Sequence, residues 1–130
     1  MNRLVLDTSI IIDHLKGYEP ATDYLLGLEA GQFQAVVSSL THTELFAGER
    51  MTPSEQAQIE MILTLVETID VTPEIAHHAG LLLAQFRRSH GLTPFDAIIG
   101  ATARALDVPL STRNIKDFRF IPGLTVASPY

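Results

Sequence analysis

Three Thr-Pro pairs, Thr52-Pro53, Thr72-Pro73 and Thr93-Pro94, constrain this chain more than any other feature. Each reads as the start of a helix. The threonine hydroxyl accepts from an amide that has no intrahelical partner, and proline sits where no amide is needed. The helices they open are predicted to run to about Val66, to His90 before Gly91, and to about Leu106. Short apolar runs lie between and around them: Arg3 to Asp7, Gln34 to Ser38, Glu67 to Val71, Val108 to Ser111 and Leu124 to Ala127. Three more helices fit the remaining segments. One is capped by Ser9 and reaches Lys16. One spans Pro20 to Ala30, where Ala21, Tyr24, Leu25 and Leu28 keep the spacing of a buried face, and one spans Ser39 to Ala47. Glycines 17, 31 and 48 follow them. Strands alternating with helices predict an α/β fold with a mainly parallel, about five-stranded sheet, and right-handed crossovers put helices on both of its faces. No repeat, low-complexity tract or linker interrupts the pattern, so residues 1–130 are expected to form a single domain.

Composition removes several function classes. The chain has no cysteine, which excludes disulfides, thiolate nucleophiles and cysteine-ligated zinc and fits a reducing compartment such as the cytoplasm. No apolar stretch is long enough to span a membrane, and the opening residues do not read as a signal peptide. The net charge of −6 disfavours a generic nucleic-acid coat. The charge is uneven, however: residues 1–75 carry 12 acids and 3 bases, net −9, and residues 76–130 carry 3 acids and 6 bases, net +3. An acidic enzyme with one basic strip remains.

Ligands of parallel sheets bind at the carboxyl ends of the strands, and that rule gathers four distant acids. Asp7 ends the first strand. Glu44 lies early in the helix leaving the second. The helix from Thr93 must return the chain to the start of the fourth strand, so its first turn, with Asp96, lies at the carboxyl edge. Thr112-Arg113-Asn114 leaves the fourth strand there, and Asp117 is close behind. Two carboxylates about 4 Å apart repel by roughly 4 kcal/mol at an effective dielectric near 20. A divalent cation removes that cost, and an all-oxygen donor set suits Mg²⁺ or Mn²⁺. Metal-dependent phosphodiester hydrolysis is the chemistry such a site would support. Taken singly, these acids have plainer uses: Thr41-His42-Thr43-Glu44 and Thr93-Pro94-Phe95-Asp96 are both capping-box patterns, Asp7 can open a turn, and Asp117 can be a loop acid.

The same residues carry a family resemblance. An apolar strand ending in Asp-Thr-Ser (LVLDTSIIIDHL) is followed by Ser38-Ser39-Leu40-Thr41-His42-Thr43-Glu44-Leu45-Phe46-Ala47-Gly48. Then come PFDAIIGATA from Pro94 to Ala103 and Thr-Arg-Asn-x-x-Asp-Phe from Thr112 to Phe118. Ile-Pro-Gly-Leu and the pair Pro129-Tyr130 complete the series. In this order and over nearly the whole chain, these motifs resemble the PIN domains, and most closely the VapC-type toxins of toxin–antitoxin pairs. The resemblance implies a PIN-like three-layer α/β/α fold and Mg²⁺-dependent endoribonuclease activity, with Mn²⁺ able to substitute. It implies an acidic quartet of Asp7, Glu44, Asp96 and Asp117, with Asn114 competing with Asp117 for the fourth role. Ser9, Thr112 and Asn114 become supporting polar groups near metal or phosphate. The expected partners are an RNA substrate, a VapB-type antitoxin docking on the early helices, and a second copy in a homodimer, with no membrane. Gly100 and Ser9 depart from the commoner alanine and asparagine without removing a ligand.

Arg113, Lys116 and Arg119 adjoin the expected site, so phosphate contact by Arg113 and Lys116 is anticipated. Arg87 and Arg88 read as solvated surface, and the five histidines have no metal-ligand spacing. Two other classes place acids at such a rim: a phosphoaspartyl phosphatase or receiver domain, and a catalytically silent PIN-like interaction module. The phosphatase fingerprint needs a second acid where Ser9 stands, and a silent module is expected to have lost an acid.

Overall fold

The computed structural model describes residues 2–130. Five strands, β1 (Arg3–Leu6), β2 (Gln34–Ser38), β3 (Glu67–Ile69), β4 (Leu110–Ser111) and β5 (Val126–Ala127), form one sheet in the order β3-β2-β1-β4-β5. Every neighbouring pair is parallel. The helices are α1 (Thr8–Leu15), α2 (Glu19–Glu29), α3 (Ser39–Phe46), α4 (Pro53–Leu63), α5 (Pro73–His90) and α6 (Pro94–Leu106), and a 3₁₀ turn covers Ile115–Asp117.

Strand alternation builds the three layers. Val5 and Val36 face a core with Ile75, Leu82 and Phe86 of α5 and Ile99 of α6. Their neighbours Leu6, Ala35 and Val37 face the other side, against Ile10, Leu25, Leu45 and Ile59 of α1 to α4. Successive side chains of a strand point to opposite faces, so a central strand buried on both sides needs an unbroken apolar run. Leu4-Val5-Leu6 and Ala35-Val36-Val37 supply those runs.

All three Thr-Pro starts form as the sequence predicts. Thr52 Oγ1 accepts from the Glu55 amide at 3.1 Å, Thr72 Oγ1 from Ile75 at 3.1 Å, and Thr93 Oγ1 from Asp96 at 3.2 Å. Such a cap contributes about 1 kcal/mol. Gly91, at φ +68°, closes α5 in the left-handed conformation that glycine adopts without strain.

One local expectation needs correction, and one of the plainer uses falls away. Ser9 does not cap the first helix; Asp7 occupies that position, and the Ser9 hydroxyl donates to the Asp7 carboxylate instead. Glu44 does not close a capping box on Thr41. Ser38 caps α3 by accepting from the Leu40 amide, which leaves Glu44 well inside the helix with its carboxylate free for other work. The strands β3, β4 and β5 are also shorter than their apolar runs, and α4 stops at Leu63 rather than Val66.

Candidate active site

The strand order places the site. From β1 the chain moves outward to β2 and then β3, and crosses back over β1 to reach β4. The carboxyl ends of β1 and β4 therefore flank the point where the connections diverge, which is where parallel α/β sheets bind ligands. Asp7 leaves β1 at this crevice and Thr112 leaves β4. The Asp7 amide donates to the Ser111 carbonyl at 2.9 Å, and Thr112 Oγ1 donates to Asp7 Oδ2 at 2.7 Å.

Asp7 is 5% exposed, and its Oδ2 also accepts from Ser9 Oγ at 2.8 Å. Burial pushes its carboxyl above the usual range; the Thr112 and Ser9 hydroxyls oppose the shift, and the charge of Asp117 adds to it. Glu44 lies one layer away on α3. Thr8 Oγ1 donates to Glu44 Oε1 at 2.8 Å, and Thr8 and Thr41 hydroxyls lie 3.0 Å apart. Thr8 has a single hydroxyl proton, already given to Glu44, so Thr41 must be the donor in the second bond. Burial raises the Glu44 carboxyl, Thr8 lowers it, and Asp7 raises it again.

Asp96 stands in the first turn of α6. Burial first, then the charges of Asp7, Asp117 and Glu44, push its carboxyl up to about 7, with a hydrogen bond from Thr93 opposing. Every charge acting on Asp96 is another carboxylate. The four predicted acids thus share one electrostatic environment with no cation among the influences on Asp7, Glu44 or Asp96. They do not yet converge on a single point: among the described residues, no three His, Asp or Glu side chains are already gathered closely enough to hold an ion.

The remaining predicted residues divide. Thr112 is wholly buried; its hydroxyl donates to Asp7 and accepts from the Asn114 amide at 3.0 Å, so it positions other groups. Asn114 precedes the 3₁₀ turn that carries Asp117, and its carbonyl accepts from the Asp117 amide at 3.0 Å. Lys116 is exposed beside Asp117. Arg113 is exposed, but its Nε is 2.8 Å from Asp13 Oδ2.

Sequence reasoning missed Thr8 and Thr41, which orient Glu44. The signal was present, since Thr8 lies between Asp7 and Ser9 and Thr41 lies one helical turn before Glu44. Replacing Thr8 with valine keeps its shape and removes both bonds. The Thr8→Val protein is expected to lose about 1–3 kcal/mol in urea unfolding, because the buried Thr41 hydroxyl loses its acceptor. The Glu44 carboxyl, read by NMR titration, is expected to move further upward once its donor is gone. An unchanged Glu44 titration would show that Thr8 does not hold it.

The sequence matches the PIN domain over residues 4–123, and the chain belongs to that family, in its VapC branch. It is 38% identical over 123 residues to "Ribonuclease VapC19" of Mycobacterium tuberculosis, covering 92% of this chain and 95% of that protein. Among solved structures, a toxin–antitoxin complex from Klebsiella pneumoniae matches at 34% identity with a TM-score of 0.75, over 98% of both chains. DNA-bound VapBC from Salmonella typhimurium shares the fold, with a TM-score of 0.81 over the full length of both chains at 24% identity. Among the described residues, no helix is long and apolar enough to cross a membrane.

Proposed function

We propose that this chain is the toxin of a VapBC toxin–antitoxin pair, a Mg²⁺- or Mn²⁺-dependent endoribonuclease working as a single PIN domain in the cytoplasm. The observation that carries this reading is the uncompensated carboxylate rim at the switch point, in a chain whose relative over 92% of its length is named a ribonuclease. Asp7, Glu44 and Asp96 are all raised by burial and by neighbouring carboxylate charge, a cost to the folded protein unless a cation offsets it. The donor set is all oxygen, which fits Mg²⁺ or Mn²⁺, and ions that keep several waters do not require the acids to touch one point. A divalent ion held there would supply an activated water and stabilise charge developing on the phosphate.

The chain's own groups have separable roles. Asp7, Asp96, Glu44 and Asp117 hold the metal and form the catalytic quartet. Ser9 and Thr112 fix Asp7, Thr8 fixes Glu44, and Asn114 sets the turn that presents Asp117. Lys116 offers an exposed cation to the RNA backbone. The phosphoaspartyl alternative lacks an acid at position 9, where Ser9 donates to Asp7 rather than acting as a general acid.

The antitoxin surface is the groove between α2 and α4, about 390 Å³, lined by Leu25, Leu26, Met61, Ile62 and Leu65 with Glu29 at its edge. Leu26 and Met61 are 55% and 67% exposed. An amphipathic antitoxin segment with basic residues fits this apolar, acid-edged groove. The protein is proposed to act as a homodimer.

The test is cleavage of labelled RNA with Mg²⁺, with Mn²⁺ and with EDTA, alone and with the small protein encoded beside its gene. Cleavage with either metal, its loss in EDTA and its suppression by the neighbour are the expected results. Met61→Glu is expected to weaken that suppression at least about tenfold, some 1.4 kcal/mol of binding, without altering cleavage. Cleavage that persists in EDTA overturns the metal mechanism.

A further inference from the structure

The acidic rim does not account for a second cluster on its flank. Asp13, in the last turns of α1, is 8% exposed. Its Oδ2 is ion-paired with Arg113, whose Nε lies 2.8 Å away, and accepts from the Tyr130 hydroxyl at 2.7 Å. The Tyr130 ring stands edge-on to Tyr18 and Tyr24, at centroid distances of 5.5 and 6.2 Å. The Tyr24 hydroxyl in turn lies 3.0 Å from Ser111 Oγ, at the end of β4. Burial and the Asp13 carboxylate push the Tyr130 phenol above its usual range, so it stays a donor.

The segment leaving β4 is therefore tied to α1 twice. Thr112 holds Asp7 at the start of that helix, and Arg113 holds Asp13 near its end. The two acids differ by six positions, about 9 Å along a helix axis. One tether leaves a loop free to swing; two at that separation fix its direction. The next stretch of chain is the turn that carries Asn114 and Asp117.

We propose that Asp13, Arg113 and Tyr130 form a clasp that sets the approach of Asp117 to the rim, making them positioning residues for the reaction. The clasp rests on the proposed metal-dependent cleavage. Arg113 then acts through Asp13 rather than on RNA phosphate, which differs from the phosphate contact its sequence position suggests. Tyr130, from the motif Pro129-Tyr130, becomes the hydrogen-bond donor that joins the Arg113 ion pair in satisfying the buried Asp13 carboxylate.

Four proteins decide the matter: wild type, Tyr130→Phe, Arg113→Gln and the double variant Asp13→Asn/Arg113→Gln. Tyr130→Phe keeps the ring against Tyr18 and Tyr24 and removes only the hydroxyl. The double variant removes both charges together, so no buried carboxylate is stranded. Each is measured by direct Mn²⁺ titration in calorimetry, by kcat and KM on a short RNA, and by thermal melting. Tyr130→Phe is expected to weaken Mn²⁺ binding about three- to tenfold and lower kcat with KM unchanged. The double variant is expected to lose no more than Arg113→Gln alone, as coupled residues do. If Arg113→Gln raises KM and leaves kcat and Mn²⁺ affinity alone, Arg113 is an RNA contact and the clasp is wrong. Variants indistinguishable from wild type overturn it as well. A wild-type protein that neither binds Mn²⁺ nor cleaves RNA overturns the nuclease reading first, and the clasp falls with it; one that binds and cleaves while the variants match it sinks the clasp alone.

Discussion

Asp7→Asn is expected to cut RNA at least about 10³-fold more slowly than the wild type, a loss of roughly 4 kcal/mol of transition-state stabilisation, while remaining fully folded. Asn keeps a carbonyl oxygen that can accept from Ser9 and Thr112, so the two short bonds at 2.8 and 2.7 Å have a surviving acceptor. The variant loses only a buried negative charge that burial and Asp117 already disfavour. Its removal also relieves Asp96, on which Asp7 is the largest charge influence. The metal-free variant is therefore expected to melt at or above the wild-type temperature. Adding Mn²⁺ is expected to raise the wild-type melting temperature and leave the variant nearly unmoved. An Asp7→Asn protein that cleaves RNA at the wild-type rate removes the quartet from the mechanism.

The second large effect concerns protons. Asp96 titrates at about 7 in the folded protein, against 3.8 for the ordinary group. Between those values the folded state binds more protons than the unfolded state, so the contribution of Asp96 to stability falls as pH rises through that window. Asp7 and Glu44, both raised chiefly by burial, act in the same direction. The metal-free protein is expected to melt higher at about pH 5.5 than at about pH 8, and Asp96→Asn to flatten that difference. A metal ion must displace the proton, so its affinity rises with pH over the same range. Saturation at about 100 times the dissociation constant adds about 2.7 kcal/mol, which opposes the fall in stability with pH. Calorimetry at the two pH values, with and without Mn²⁺, measures both effects. A wild-type and an Asp96→Asn protein with the same pH dependence would show that Asp96 holds no such proton.

Much of this arrangement was legible from local rules. The Thr-Pro starts, the αL glycine after His90 and the bounds of β2, α5 and α6 follow from capping chemistry and side-chain period, which act over a few residues. The expectation that Asp7, Glu44, Asp96 and Asp117 lie at one rim followed from one topological rule about parallel sheets. Strand order did not: nothing near residue 7 says that the donor to its carboxylate comes from the end of β4 rather than of β2. Nor did the partners of Thr8 and Asp13, since Glu44 and Tyr130 lie 36 and 117 positions away along the chain. The Ser9 cap failed because two groups competed for the start of α1, and the buried Asp7 carboxylate needed the serine hydroxyl as a donor.

The pairing of β1 with β4 also orders events in time. Strand β1 sits at the middle of the sheet, yet its second neighbour arrives only with Leu110 and Ser111, and the Thr112–Asp7 bond closes a separation of 105 positions. A chain synthesised as far as residue 105 already carries Asp7, Glu44 and Asp96 but has an open strand edge, no Thr112 and no Asp117. At about 5–20 residues per second the rest takes roughly one to five seconds to appear. Such distant parallel pairing is also intrinsically slow to form. On the proposed nuclease reading, the emerging polypeptide lacks a complete site until the last strands dock, while α1, α2 and α4, which frame the apolar groove, are all made by residue 63. On the same reading, an antitoxin that docks in that groove meets its surface before there is a complete site to inhibit.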